Sequence, residues 1–311
     1  MCELMGMSAN TPTDICFSFA GLIRRGGETG PHKDGWGISF FEGKGVREFK
    51  DVDASATSEI ARFVKDYPIK SHIVISHIRQ ANSGRVALEN THPFAREMWG
   101  LPWVYAHNGQ LKGVKKMKLS HYRPVGTTDS EFAFCYILNH LRQRFDRYPA
   151  RKQALFRAIH ELCEQLRQYG VFNILFSDSK YLYCYCTTKL CRITRRSPFG
   201  IAHLRDKEVR VDFSDTTTPN DVVTVIATAP LTTDETWEPL QAGELLVFQH
   251  GEVACRLLPR GARRAEPKTV TTEQPCPGLW APGQAPEASP AKTAPAKTSA
   301  RRKSRSQPSN G

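Results

Sequence analysis

No apolar run in this chain approaches the roughly 18 residues that a membrane span needs; the longest, residues 15–23, is broken by Ser18. A helical membrane protein is excluded on that count. Basic residues follow that run, as Arg24 and Arg25, rather than precede it, and no small-residue cleavage site comes next, so no secretory signal is expected and the chain reads as cytoplasmic. No CxxC pair occurs. The nine cysteines (Cys2, Cys16, Cys135, Cys163, Cys184, Cys186, Cys191, Cys255 and Cys276) are odd in number and scattered, which argues against a disulfide framework and for reduced thiols. Internal repeats are absent too. What is present is 40% hydrophobic residues in 311 positions, with a mean hydropathy of −0.43. That excludes a wholly disordered chain and suffices for one large core or two modest ones.

The net charge of +12 is unevenly placed. From Arg263 onward there are nine basic residues against three acidic ones, so half the excess lies in the last fifty positions, with eight of the 20 prolines. Such a segment, rich in Ala-Pro and Lys-Thr pairs and without aliphatic periodicity, cannot bury enough surface to order itself. Residues 261–311 are therefore expected to be a disordered basic tail, and residues 2–260 the folded domain. A charge run of this kind raises nonspecific nucleic-acid affinity without creating a specific site, and a solvated tail is the favoured reading.

Within 2–260, helical and strand patterns alternate. Pro12 sits where a first helical residue belongs, and Ile15, Phe19, Leu22 and Ile23 recur at helical spacing before Gly26-Gly27, predicting a helix. The same spacing in Ile60, Phe63, Val64 and Tyr67, stopped by Pro68, and in Leu155, Ala158, Ile159, Leu162 and Leu166 predicts two more. Short β-branched or aromatic runs at 72–78, 103–106, 171–176, 181–186, 222–227 and 245–248 predict strands. The result is a mixed α and β core with helices over packed sheets. The strands after 170 fit either a second domain or the far side of one sandwich, and the polar stretch 195–218 reads as a surface excursion, a lid or an insertion. Alternation in 181–186 puts Cys184 and Cys186 on one face and the tyrosines on the other, favouring buried thiols over a metal cluster with Cys191.

Four segments carry chemistry. Removal of Met1 would leave Cys2 with a free α-amine of pKa about 7.7–8.0, a base able to take the proton of its own thiol. By itself Met-Cys is a common way to begin a chain. Arg79 ends a β-branched strand, where its guanidinium offers a fork for a carboxylate or simply pairs with a nearby acid. Asn108-Gly109 ends another strand; it reads as a tight turn, or as an amide and a bare N–H suited to an oxyanion. Thr128 and Glu131 form a capping box, placing Asp129 in a first helical turn, where its carboxylate stays ionised and can receive an ammonium group.

Cys2, His77-Ile78-Arg79, Thr91-His92-Pro93, His107-Asn108-Gly109 and Thr128-Asp129-Ser130-Glu131, in this order, resemble the class II, N-terminal-nucleophile glutamine amidotransferases. The segment Lys33-Asp34-Gly35-Trp36-Gly37-Ile38 is similar to the stand-alone bacterial type and to related hydrolases of γ-glutamyl compounds. The resemblance covers residues 2–258. It implies an α+β fold, a four-layer αββα sandwich, in which Cys2 attacks the side-chain amide of glutamine, forms a γ-glutamyl thioester and releases ammonia and glutamate. It implies Asn108 and Gly109 as oxyanion donors and Arg79 and Asp129 as holders of the substrate α-carboxylate and α-ammonium. It also implies His92 near the glutamine and Gly35 and Trp36 in the cleft wall.

The resemblance has departures. Arg79 is followed by Gln80-Ala81-Asn82-Ser83-Gly84 where biosynthetic members have Trp-Ala-Thr-His-Gly, and no acceptor domain is expected after residue 260. Ammonia would then pass to a separate acceptor protein, or the enzyme is a plain amidohydrolase of glutamine or another γ-glutamyl compound, such as a glutathione-like thiol. His77, His92 and His107 each sit in a motif with another role, so neither metal nor cofactor is needed. The competing reading keeps the fold without the chemistry: a noncatalytic scaffold that docks through its basic tail.

Overall fold

Two sheets in this protein bury side chains on both faces, which requires each to be covered twice. In the computed structural model, which describes residues 2–81, 84–214 and 218–259, the strands are β1 (Glu3–Thr13), β2 (Trp36–Glu42), β3 (Gly45–Asp51), β4 (Ser71–Ile78), β5 (Phe94–Met98), β6 (Leu101–Leu111), β7 (Gly170–Ser177), β8 (Leu182–Cys186), β9 (Cys191–Arg196), β10 (Ile201–His203), β11 (Arg210–Asp212), β12 (Val222–Ala227), β13 (Glu238–Pro239), β14 (Glu244–Gln249) and β15 (Glu252–Leu257). The helices are α1 (Cys16–Leu22), α2 (Glu59–Asp66), α3 (Asp129–Arg144) and α4 (Lys152–Leu166). One sheet runs β13-β9-β12-β1-β4-β2-β3, the other β15-β14-β8-β7-β6-β5.

Strand β8 shows how the layers arise. All five of its residues are buried: Leu182, Cys184 and Cys186 face the apolar layer between the sheets with Leu4, Ile75 and Val104, while Tyr183 and Tyr185 join the layer under α3 and α4. The cysteines are thus core thiols, and among the described residues no group of His, Cys, Asp or Glu is placed to hold a metal. A third layer, with Met5, Met7, Trp36 and Val225, lies beneath α1 and α2. The architecture is therefore helices, sheet, sheet, helices, the expected αββα sandwich. Strands from after residue 170 enter both sheets, so no second domain begins there.

The predicted helices at 60–67 and 155–166 and all six predicted strands are present, several with longer bounds. The N-terminal segment differs. Pro12 lies in β1, within the irregularity in its pairing with β4 between Ser8 and Thr13, where no ladder N–H is needed, and α1 starts only at Cys16. The central strand β1 itself carries no sequence signal, because Met, Gly, Ser and Ala fill it; Gly6 is there because a Cβ would lie 3.0 Å from Leu175 of the facing sheet. The excursion at 195–218 forms the hairpin β10–β11. The 260/261 boundary and the tail lie outside the described residues. No described helix is long and apolar enough to cross a membrane.

Candidate active site

Strand register assembles the site. In the antiparallel β1–β4 pair, Glu3 lies opposite Ile78, so the residues just beyond the strand ends, Cys2 and Arg79-Gln80, become neighbours. The Gln80 N–H donates to Cys2 Sγ (3.3 Å), and the thiol donates to the Gln80 carbonyl (3.5 Å). Enclosure pushes the Cys2 thiol above its ordinary pKa, with the Gln80 N–H and the Arg79 charge opposing. Across the interlayer, Asn108 Nδ2 donates to the Cys2 carbonyl (2.5 Å) and lies 3.4 Å from Thr228 Oγ1. Cys2, Arg79, His92, Asn108, Gly109 and Asp129 all line one cleft of about 490 Å³, its open mouth included.

Asn108-Gly109 is not a turn. Strand β6 continues to Leu111, with Asn108 opposite Asn173 and Gly109 opposite Phe172 of β7. The sandwich explains why: at Gly109 a Cβ would lie 1.9 Å from the Val171 carbonyl, so only glycine allows the two backbones to pair while leaving the cleft side bare.

Arg79 is buried, 4% exposed, and among the described residues its guanidinium donates to two carbonyls, those of Asp34 and Arg85 (both 3.3 Å). Among the described residues no carboxylate pairs with it. A guanidinium keeps a fork suited to a carboxylate when its own partners are neutral carbonyls. Asp34 and Gly35 position it: the Arg79 N–H donates to the Gly35 carbonyl (2.8 Å), and Asp34 Oδ2 accepts the Ala81 N–H (2.7 Å). Gly35 itself has φ +104 and lies against Asp51, behind the wall, and Trp36 is fully buried beside Phe19. The expectation that these two line the cleft is thus corrected: Trp36 starts β2 opposite Ile78 with its side chain on the helix-covered side, and Gly35 touches the site through its carbonyl, which holds the Arg79 N–H.

Asp129 opens α3. Thr128 caps that helix, accepting the Glu131 N–H (3.1 Å), but the reciprocal arm of the capping box is absent. The Glu131 carboxylate instead accepts the Val125 and Gly126 N–H groups (3.0 and 2.7 Å) and pairs with Arg96, because this buried acid has stronger donors in reach. Asp129 accepts the Leu111 and Ser130 N–H groups (2.6 and 3.1 Å), which fix its carboxylate where the residue lines the same cleft as Arg79.

Three histidines back the cleft. His107 is engaged at both nitrogens, with Ser130 Oγ (2.8 Å) and the Val171 carbonyl (3.0 Å). His92 stacks on His77, ring centroids 4.2 Å apart, and on Phe94 at 4.4 Å. Burial holds all three imidazoles neutral, His77 down to about 3 and His92 well below its ordinary value.

Several contributors were not singled out in the sequence. Arg25 is buried and binds Glu3 Oε2 (3.0 Å), Asp206 Oδ2 (2.8 Å) and the Ala229 and Pro230 carbonyls (3.3 and 2.7 Å), fixing the residue after Cys2 and pinning the β10–β11 excursion. No described residue of that excursion lines the cleft. Thr228 accepts the Leu4 N–H (2.8 Å). Their partners lie some 20 to 225 residues away in sequence, beyond the reach of local pattern. Trp237 anchors its loop through Thr232 (2.9 Å).

The sequence profile of the family described as glutamine amidotransferases class-II matches residues 1–272. The chain is 62% identical over 252 residues to "Putative glutamine amidotransferase YafJ" of Escherichia coli K12, covering 81% of this chain and 99% of that protein. It is 46% identical over 258 residues to a Haemophilus influenzae protein given the same description, covering 83% and 87%. The crystal structure of a predicted glutamine amidotransferase from Pseudomonas aeruginosa is similar at TM-score 0.65 and 47% identity, covering 82% of this chain and 100% of that one. A glutamine phosphoribosylpyrophosphate amidotransferase from Bacillus subtilis shares the fold alone, at TM-score 0.50 and 14% identity, over 88% of this chain and 50% of that one. By its sequence over nearly the whole described length and by its fold, this chain belongs to the class II glutamine amidotransferases.

Proposed function

We propose that this protein hydrolyses the side-chain amide of glutamine with Cys2 as an N-terminal nucleophile. The observation that carries the reading is the convergence, through strand register, of a thiol, a buried guanidinium held by carbonyls, a carboxylate and the Asn108-Gly109 donors on one cleft. Arg79 and Asp129, cation and anion in that one cleft, match the α-carboxylate and α-ammonium of an amino acid. Such a substrate, held by both groups on its α-carbon, presents the γ-carbonyl at its other end to Sγ.

Because enclosure raises the thiol pKa, attack needs a base. Loss of Met1 supplies one, the Cys2 α-amine, which takes the thiol proton as the S–C bond forms. Negative charge on the former carbonyl oxygen is received by Asn108 Nδ2 and the Gly109 N–H. The same proton passes to the leaving nitrogen as the C–N bond breaks, giving ammonia and the γ-glutamyl thioester. Water, deprotonated by the α-amine, then releases glutamate and restores the thiol. The ammonia goes to solvent or to a separate acceptor protein.

Intact mass of the purified protein fixes its first residue, and ammonia and glutamate release from glutamine is measured in the same sample with Cys2→Ala as control. Release that depends on Cys2 in a chain beginning at Cys2 is expected. A processed chain that leaves glutamine intact but cleaves a γ-glutamyl thiol would move the substrate and keep the mechanism. Retained Met1 with no turnover of either would overturn the reading in favour of a scaffold.

A further inference from the structure

Strand β3 is the open edge of the seven-stranded sheet. It is joined to β2 by the two-residue turn Gly43-Lys44, with Glu42 opposite Gly45 and Gly43 at φ +60. In such a hairpin the pair flanking the turn is hydrogen-bonded, so Gly45, Arg47, Phe49 and Asp51 turn their backbone groups to β2. Val46, Glu48 and Lys50 turn theirs outward, and among the described residues those groups have no recorded backbone partner. Beside this edge, α2 leaves Phe63 and Tyr67 54% and 51% exposed, stacked at 5.4 Å, with Phe63 6.3 Å from Phe49. A bare strand edge thus runs next to an uncovered aromatic strip.

We propose that this edge pairs with a second copy of the chain, β3 against β3, about a two-fold axis at Phe49. Such an axis stands perpendicular to the sheet and preserves its faces, so it must pass through a residue paired with itself. With Phe49 on the axis, Glu48 meets the partner's Lys50 and Arg47 meets the partner's Asp51, each twice by symmetry. All four pairs are of opposite charge. The two Phe49 rings meet at the close, non-hydrogen-bonded position, and Glu48 and Lys50 supply the ladder bonds. Axes at Arg47, Glu48 or Lys50 each set a charge against itself. The Phe49 register also brings the two aromatic strips together on the helical face.

The pairing makes a charge-reversal test, in which the same swaps also alter the pair that Glu48 and Lys50 form within one chain (3.5 Å). Mass is measured by light scattering and sedimentation at about 1–100 µM. The full chain is expected to reach twice its 35.0 kDa at the upper end. Glu48→Lys, and separately Lys50→Glu, should each raise the dissociation constant about tenfold or more by turning two attractive pairs repulsive. The double swap Glu48→Lys with Lys50→Glu should restore the dimer, because the opposed positions regain opposite charge. Circular dichroism should stay unchanged throughout, and melting temperature should match that of the parent chain at concentrations where both are monomeric, a readout independent of the catalytic reading. A monomer at every concentration would mean that the charged edge is blunted against pairing and would overturn the proposal. So would a dimer indifferent to the single swaps, or one that the double swap fails to restore.

Discussion

At the scale of single residues, the proposed mechanism separates groups that hold the substrate from groups that act only as charge develops. Asn108 is of the second kind: its amide already lies 2.5 Å from the Cys2 carbonyl, at the nucleophile's shoulder. Asn108→Ala should lower kcat by about 10²–10³ with little change in KM; steady-state kinetics with a near-normal kcat would remove it from the oxyanion site. Arg79 is of the first kind. Arg79→Lys keeps the charge and loses the fork, so KM should rise about 10-fold or more while kcat moves less; a purely catalytic defect would contradict a carboxylate receptor. The buried histidines set an acid limit on stability. His77 and His92 are neutral in the fold and take up protons on unfolding once pH drops below about 6.5. The unfolded chain then binds more protons, so stability falls as pH falls toward about 3, by about 1.4 kcal/mol per unit for each histidine. Denaturant midpoints across that range should show the slope, and His77→Gln should flatten it; an identical slope in the variant would refute the assignment.

Secondary-structure elements serve this site by where they end and where they refuse a side chain. Helix α3 begins at Asp129 because Thr128 caps it. Thr128→Ala should cost about 1 kcal/mol of stability and, by loosening the first turn, weaken substrate binding along with it; a lower melting temperature with unchanged KM would show that the cap does not orient Asp129. Strand β6 can pass Asn108 to the cleft only while Gly109 lies flat against β7. Gly109→Ala is expected to push the strands apart at Val171 and to reduce both melting temperature and activity, which thermal melts and ammonia release read together.

Across the whole molecule, one buried cation ties the layers. Arg25 joins β1 at Glu3, the β10–β11 excursion at Asp206 and the turn after β12 at Ala229 and Pro230. Removing it leaves Glu3 and Asp206 as uncompensated, mostly buried charges, so Arg25→Ala should cost about 3–5 kcal/mol and disorder the backbone next to Cys2. Urea unfolding would measure the first effect and the Cys2-dependent rate the second; a shift under 1 kcal/mol would show that the triad is solvated.

The sequence by itself determined the layered α and β class, the three predicted amphipathic helices, the first with a later start, six strands and the motif residues, because helical and alternating burial leave local periodicities and because Cys2, Arg79, Asn108, Gly109 and Asp129 stand in recognisable local contexts. It missed β1, whose Met, Gly, Ser and Ala residues are chosen for fit between two sheets rather than for strand propensity. It could not decide whether Asn108-Gly109 was a turn or a strand, since the same dipeptide serves both and only the Val171 carbonyl at van der Waals range selects between them. It set Trp36 on the cleft, whereas the two-residue alternation of β2 turns that ring into the core. Only the tertiary structure decided that five motifs spread over 128 positions meet in one cleft, and that Arg25, Asp34 and Thr228 support them. Those contacts arise from antiparallel register and sheet stacking, long-range quantities that no local window of sequence contains.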